Sequence, residues 1–401
     1  MTVCGVVAEY NPFHAGHAHH LAETRRALGA DTAIVCAMSG NFVQRGDLAI
    51  LEKYRRAAAA VQSGADLVLE TPLSACLWSA SGFAFGAVHL LNALGCVTHL
   101  SFGAEHADLT LLRRAADLSR AQGTHADTLK QALAAGLPYA AAVQQAVACT
   151  DPAAGALLQS PNNTLAVEYL CALDTLQSAI QTLAIPRAGG AHDSDLPADG
   201  LPSASYLRKR IAQGEIDACR PLMPEASFAV LRQAIDDREA PVTRQAVDQA
   251  ILAHLRRLRP DDLARYCGGD GLENRLWEAI RDNTNVAAVC SAAQTRRYPL
   301  ARVRRALLRA WLDLPNAVPP TADYVRVLAV GPRGRDVLRR MKDTCALPVI
   351  VKPVTERALP DALQPALAHD ALADDLYALA YPDPALRVGG GRYRKTPFCL
   401  E

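Results

Sequence analysis

The chain has 401 residues, half of them hydrophobic and 21% charged, with a formal net charge of +1. That is long enough for two or three domains and a substantial core, and the composition excludes a disordered or fibrous class. The near-neutral balance excludes a whole-chain polycation, so any contact with nucleic acid must come from a local patch. No basic-then-apolar leader opens the chain. Apolar stretches such as 75–94 carry polar and glycine breaks that fit a buried helix better than a membrane span. Of the 11 cysteines, no two lie three apart, and Cys4, Cys36 and Cys96 fall inside apolar runs. They read as reduced, packed thiols in a cytoplasmic protein, not as a disulfide framework or a zinc ribbon.

An apolar strand at 3–8 runs into Glu9-Tyr10-Asn11-Pro12-Phe13-His14-Ala15-Gly16-His17, and a helix follows over 17–28. Further strands are predicted at 32–38, 66–70, 97–102 and 180–185. Helices are predicted between them at 51–64, 73–94 and 109–122, then as an alanine-rich pair through Ala148, then at 164–176. This alternation predicts an α/β, Rossmann-like domain over 1–215, a parallel sheet with helices on both faces. A Pro- and Gly-rich loop spans 186–202, and a short helix covers 203–213. Residues 224–315 read as mostly helical, punctuated by Pro241, Pro260 and Pro299, giving a helical region over 216–320. A small C-terminal α/β segment is expected over 321–401, with a strand at 324–330, a helix at 333–343 and a strand at 347–351. Its glycine-rich, basic end, 387–395, reads as mobile.

Ligands of such folds gather at the carboxyl ends of the strands. His14, Ser39-Gly40-Asn41 and Gly103-Ala104-Glu105 each follow a strand, so one crevice could collect all three. His14-x-Gly16-His17 is the strongest signal. It sits where unpaired backbone N–H groups and the positive end of a helix dipole favour a phosphate. Transfer at an α-phosphate needs in-line positioning and donors around the growing charge, and imidazoles at a helix start supply both. Two histidines without a third ligand make a poor metal site, and none is expected. The loop from Ser39 to Asp47 mixes turn formers, amides and Arg45, and could grip a polar ligand. Lys53, Arg55 and Arg56 open the next helix and read as a solvated face or a weak pull on an anion. In Ser160-Pro161-Asn162-Asn163 the serine or an asparagine caps a helix, or Asn162 donates to a ligand. Arg187 follows the fifth strand. Ser203-Ala204-Ser205-Tyr206-Leu207-Arg208 starts another helix, whose hydroxyls suit β- and γ-phosphates or simply cap it. Last comes a cationic run, Arg296, Arg297, Arg302, Arg304, Arg305 and Arg309, with Tyr298 and Trp311 beside it and no acid between Arg296 and Arg309. It reads as a landing site for an RNA backbone or as a solvated helix face.

These strings together resemble the bacterial tRNA(Met) cytidine acetate ligase family. The match is carried by Val7 to His17, Ser39 to Gly46, Phe102-Gly103-x-Glu105, Ser160 to Asn163, Gly271-Leu272-Glu273-Asn274-Arg275 and Thr295-Arg296-Arg297-Tyr298, in order, from Val3 to about Arg335. The resemblance implies that 1–215 is a nucleotidyltransferase-like, ATP-binding catalytic domain. It implies His14 and His17 as catalytic groups. ATP would be contacted by Val7, Ala8, Glu9, Tyr10, Asn11, Pro12, Phe13, His14, Ala15, Gly16, His17, Ala18, His19, His20, Gly103, Asn162 and Arg187, joined by Ser203 and Ser205 from the residue reading. Elongator tRNA(Met) would be met by Arg296, Arg297, Tyr298, Arg302, Arg304 and Arg305. Acetate and ATP would form acetyl-adenylate, and the wobble cytidine's exocyclic amine would take the acetyl group, with Mg2+ on the triphosphate. Three departures from the family pattern stand out: Ala15 where asparagine is usual, Ala104 where serine is usual, and Gln294-Thr295-Arg296-Arg297-Tyr298-Pro299 where Lys-Thr-Lys-Arg-Tyr-Thr is usual. A metabolic adenylyl- or cytidylyltransferase acting on a small phosphorylated substrate, and a non-catalytic RNA-binding relative, are the other readings of the residues.

Overall fold

The first strand forms where the sequence predicts it, as β1 (Val3–Ala8), in a computed structural model that describes residues 1–120, 124–187 and 202–401. In chain order there follow α1 (Ala15–Leu28), β2 (Ala33–Ser39), a short hairpin of β3 (Phe42–Val43) and β4 (Asp47–Leu48), α2 (Lys53–Gln62) and β5 (Leu67–Thr71). Then come α3 (Leu73–Cys76), α4 (Ala80–Ala93), β6 (His99–Ala104), α5 (Leu109–Arg120), α6 (Thr124–Ala134), α7 (Tyr139–Thr150), α8 (Pro152–Leu157), α9 (Pro161–Thr175), β7 (Gln181–Pro186) and α10 (Ala204–Ala212). The helical region holds α11 (Glu225–Asp236), α12 (Asp248–Leu255), α13 (Pro260–Cys267), α14 (Leu272–Asp282), α15 (Val286–Ala293) and α16 (Leu300–Trp311). The chain ends with β8 (Val325–Val330), α17 (Pro332–Thr344), β9 (Val349–Ile350), α18 (Gln364–Ala378) and β10 (Phe398–Cys399). Most of the loop expected at 186–202 lies outside the described residues.

The sheet order is β10-β8-β5-β2-β1-β6-β7, with β9 on β8. Strands β5, β2, β1, β6 and β7 run parallel. All seven residues of β2 are buried, as a central strand covered on both faces requires. Gly5 in β1 is there for closeness: a Cβ on it would stand 2.7 Å from Leu91 Cδ1 of α4.

One predicted helix changes. The helix predicted over 73–94 breaks into α3 and α4. The orphaned carbonyls of Ser74 and Leu77 at the break accept from Arg309 Nη1, each at 3.4 Å. The strand of the 321–401 segment builds no separate sheet. β8 lies antiparallel against β5 and extends the first sheet.

What fastens it there is a buried ionic cluster. Lys53 Nζ donates to Glu70 at 2.8 Å and to Asp374 at 2.7 Å. Arg326 Nη2 donates to Glu356 at 2.6 Å, and Arg392 reaches Glu356, Asp370 and Asp374. Arg392 lies in the glycine-rich end that the sequence reads as mobile, yet its side chain is fully buried. Nor do Lys53 and Arg56 form a solvated face. Both are buried, and Arg56 donates to the carbonyls of Leu51, Glu9, Ser39 and Gly40. Arg55 instead pairs at the surface with Asp237 and Glu239. Removing one partner from a buried ionic cluster typically costs about 3–5 kcal/mol, because it strands the opposite charge. Lys53→Met is therefore expected to destabilise the chain by about 3 kcal/mol, read as a lowered urea midpoint.

Helix α1 is pinned to β6 through His20, whose Nε2 lies 2.9 Å from Ser101 Oγ, and Thr24, whose Oγ1 lies 2.8 Å from the same atom. Burial, with Arg187 and His19 nearby, pushes the His20 imidazole from 6.5 down to about 4. The folded chain therefore holds it neutral where the unfolded chain would protonate it. That contribution to stability is full above pH 6.5 and is lost as pH falls from 6.5 towards 4. A His20→Gln variant is expected to show a flatter decline of the urea midpoint across that interval than the parent.

Candidate active site

Helix α1 starts on a cap made by two imidazoles. His14 is the N-cap residue, and its Nδ1 accepts from Gly16 N–H at 3.0 Å. His17, three residues on, accepts His14 N–H on its own Nδ1 at 3.2 Å. This reciprocal arrangement follows the logic of a capping box, with imidazole nitrogens in place of hydroxyl and carboxylate. Because each Nδ1 accepts, each neutral ring carries its proton on Nε2. The rings stack with centroids 3.8 Å apart. Tyr10 packs edge-on against Phe13 at 4.7 Å and against His17 at 4.9 Å, which fixes the lower ring. Tyr10 itself holds a φ of 46°, in the left-handed region that few side chains adopt. No acid stands in the first turn of α1, so its N–H groups keep their pull on an anion.

These rings line a cavity of about 510 Å3 at the carboxyl ends of β1, β6 and β7. That is a small-ligand volume, within the roughly 300–1,000 Å3 of typical sites. Of the residues proposed from the sequence, the cavity gathers Val7, Ala8, Glu9, Tyr10, Asn11, His14, Gly16, His17, His19, His20, Gly103, Asn162, Arg187 and Ser203. Pro12, Phe13, Ala15, Ala18 and Ser205 stand behind it. Phe13 is buried, and its carbonyl accepts Ser227 Oγ–H at 2.9 Å. Ala15 and the buried Ala104, two of the three departures from the family pattern, lie outside the lining. Glu9 is the one carboxylate among the described lining residues, against Arg45, Arg187 and Arg208.

The far wall is built by a carboxylate. Glu105, just past β6, accepts from Asn162 Nδ2 at 2.5 Å and from Asn163 N–H at 3.0 Å. It therefore caps α9 from the turn after β6, while Ser160 makes no side-chain cap. The same contact orients Asn162, whose Oδ1 meets Arg187 Nη1 at 3.4 Å. Gly103 leaves room for the Arg187 stem: a Cβ there would sit 3.3 Å from Arg187 Cγ. On the third side, Ser203 Oγ caps α10 by accepting Tyr206 N–H at 3.1 Å. Ser205 acts one step back, holding Arg208 at 3.0 Å while Arg208 also donates to Asn11 O at 2.8 Å. Arg45 and Arg208 are not among the ATP contacts read from the sequence. Both follow turn-forming strings that the sequence does flag, and only the fold shows that they reach the same cavity.

The cationic run divides. Arg296 and Arg297 are exposed. Tyr298 is buried, with its hydroxyl donating to Asp270 O at 2.7 Å, and Arg302 pairs with Asp270 at 2.8 Å. The acid missing from the local sequence is thus supplied from 32 residues away. Arg304 packs against Gly46 and Arg305 donates to Gln44 O at 3.1 Å, so both brace the β3–β4 hairpin.

Among the described residues, no helix is long and apolar enough to cross a membrane. Residues 1–389 match the family model described as HIGH Nucleotidyl Transferase. The tRNA(Met) cytidine acetate ligase of Acetivibrio thermocellus is 32% identical over 99% of both chains, and that of Caldanaerobacter subterraneus subsp. tengcongensis is 33% identical over 96% of this chain and 97% of its own. Thermotoga maritima TmcAL, solved with alpha-thio ATP bound, superposes with a TM-score of 0.92 at 28% identity over the whole of both chains, and its apo form with a TM-score of 0.95. The α/β fold, the HIGH-type helix start and the full-length relatives converge, and the chain belongs to the tRNA(Met) cytidine acetate ligase family.

Proposed function

We propose that this protein is an ATP-dependent ligase that acetylates the wobble cytidine of elongator tRNA(Met). The observation that carries the reading is the two-imidazole cap, set in a cavity where, among the described residues, three arginines face one carboxylate. A triphosphate laid against α1 meets backbone N–H groups and the Nε2–H donors of His14 and His17. Arg45 and Arg208 line the same space and suit the outer phosphates, while Gly103, Asn162 and Arg187 form the wall for the nucleoside. An acetate oxygen attacks the α-phosphorus, the bond to the β-phosphate oxygen breaks, and diphosphate leaves. The imidazole donors act on charge that grows in this step, which is where fixed donors lower a barrier most. The cytidine's exocyclic nitrogen then attacks the acetyl carbonyl carbon, and AMP departs. No protein nucleophile is needed, since adenylation already supplies the leaving group. Among the described residues Mg2+ would find one carboxylate in the cavity, Glu9, and the phosphates, whose charge it would offset, would supply further oxygen ligands. Such an enzyme works in the cytoplasm, where its 11 cysteine thiols stay reduced.

His14→Asn separates chemistry from folding, because asparagine is itself a favoured N-cap. It is expected to leave the unfolding midpoint nearly unchanged. Acetate-dependent exchange of labelled diphosphate into ATP should meanwhile fall by about 100-fold, the scale of losing one transition-state donor. Exchange at the parental rate would remove His14 from the chemistry.

The exposed pair Arg296 and Arg297 is the part of the run best placed for an RNA backbone. In the Arg296→Ala, Arg297→Ala double variant, tRNA affinity should fall. The slope of log affinity against log salt should shrink by about one for each phosphate that is no longer neutralised. Filter binding at several salt concentrations reads both. An unchanged slope would place the RNA elsewhere.

A further inference from the structure

A second cleft of about 550 Å3 adjoins the nucleotide cavity, and Ala80 and Thr164 line both. Helix α9 runs from one into the other. Its first turn, Pro161 and Asn162, faces the nucleotide cavity, and Val167 and Glu168 face the second cleft. Glu168 stands one helical turn beyond Thr164 on the same face, a rise of about 6 Å. Among the described residues no hydrogen bond or ion pair engages its carboxylate. Trp78 and Tyr139 line the same cleft, and Tyr139 is 60% exposed. The opposite wall carries Arg297, Arg302 and Arg305.

We propose that this cleft receives the acceptor nucleobase, a cytosine splayed from single-stranded RNA, and that the Glu168 carboxylate accepts an N–H of its exocyclic amine. The proposal rests on the acetyl-adenylate reading above and deepens it. Four features fit this occupant. Aromatic side chains offer stacking surfaces to an unstacked base, and the exposed Arg297 at the far wall meets the backbone that delivers it. A carboxylate is the natural acceptor for the amine of cytosine, which uracil lacks. The shared wall at Thr164 sets that amine beside the place where the adenylate forms. Finally, burial pushes the Glu168 carboxyl up to about 7, which suits a group that must take a proton near neutral pH. In the transfer step the amine nitrogen forms its bond to the acetyl carbon. The bond from that carbon to the adenylate oxygen breaks, AMP leaves with the electron pair, and the nitrogen's proton passes to Glu168.

Glu168→Gln preserves shape and tests this. Two reactions are measured on the full chain from pH 6 to 8: acetate-dependent exchange of diphosphate into ATP, and acetylation of unmodified tRNA(Met) transcript. The parent should show acetyl transfer rising with an apparent pKa near 7. The variant should lose about 100-fold in kcat/KM for tRNA and lose that rise, while exchange proceeds within twofold of the parent. Intact exchange also reports that the variant is folded. A variant that acetylates tRNA at the parental rate and with the parental pH profile overturns the assignment of Glu168. A parent that performs neither reaction overturns the functional reading, and the proposal with it. As an independent check on the cleft, Tyr139→Ala should raise KM for tRNA several-fold with exchange intact, and an unchanged KM counts against the base-stacking surface.

Discussion

The site depends on how one helix begins. A helix N-terminus can be capped by a carboxylate or a hydroxyl, and a carboxylate there would spend the dipole on the protein's own charge. Here the cap is made by His14 and His17, each accepting a backbone N–H on Nδ1. The cap is neutral, so the attraction for an external anion survives. It also places the proton of each neutral ring on Nε2. One local interaction therefore sets the helix boundary, the tautomer of both rings and the polarity of the cavity. Tyr10 and Phe13, packed on His17, keep the arrangement from relaxing.

Around that start the protein uses buried cations as fasteners. Arg56 ties the ends of β1 and β2 together by donating to the carbonyls of Glu9, Ser39 and Gly40, where irregular backbone would otherwise leave acceptors unmet. Lys53 ties the same region to Asp374, 321 residues away in sequence. Through Arg326 and Arg392 that cluster draws the chain's last segment onto β5. These charges are costly to bury. They are held because each has several carboxylate or carbonyl partners, and their worth lies as much in fixing one arrangement as in added stability.

The sequence makes the main sheet strands legible because each is an apolar run bounded by turn formers; the two-residue strands β3, β4 and β10 carry no such signal. The HxGH helix start is legible because two histidines and a glycine there have few other uses. What it hides are partnerships between distant positions. Lys53 and Arg56 look like any cationic helix start until Glu70, Asp374 and four carbonyls close over them. The arginine run looks uncompensated until Asp270 turns out to sit beside Arg302. Ser160 has the composition of a cap, yet Glu105 does that work from the turn after β6. In each case local chemistry suggests one partner and the tertiary fold supplies a different one.

The same fasteners set the relation between the two cavities. Helix α16 carries Arg305 to the carbonyl of Gln44 and Arg309 to the carbonyls of Ser74, Leu77 and Pro315. Hydrogen bonds from a charged donor are each worth about 1.5–3 kcal/mol, so several of them outweigh the entropy of an isolated side chain. The β3–β4 hairpin and the α3–α4 break are thus held to the helical region that walls the second cleft. Gln44 and Ala80, which line the nucleotide cavity, belong to these same two segments. A shift of α16 relative to the sheet would break these bonds before it widened the passage. On the proposed reading, the two chemical steps, one needing a held triphosphate and one needing a nucleobase brought to the activated acyl group, would be served by cavities fixed in one frame. The arginines responsible face inward for that reason, and only the outermost pair of the run is left for solvent or RNA.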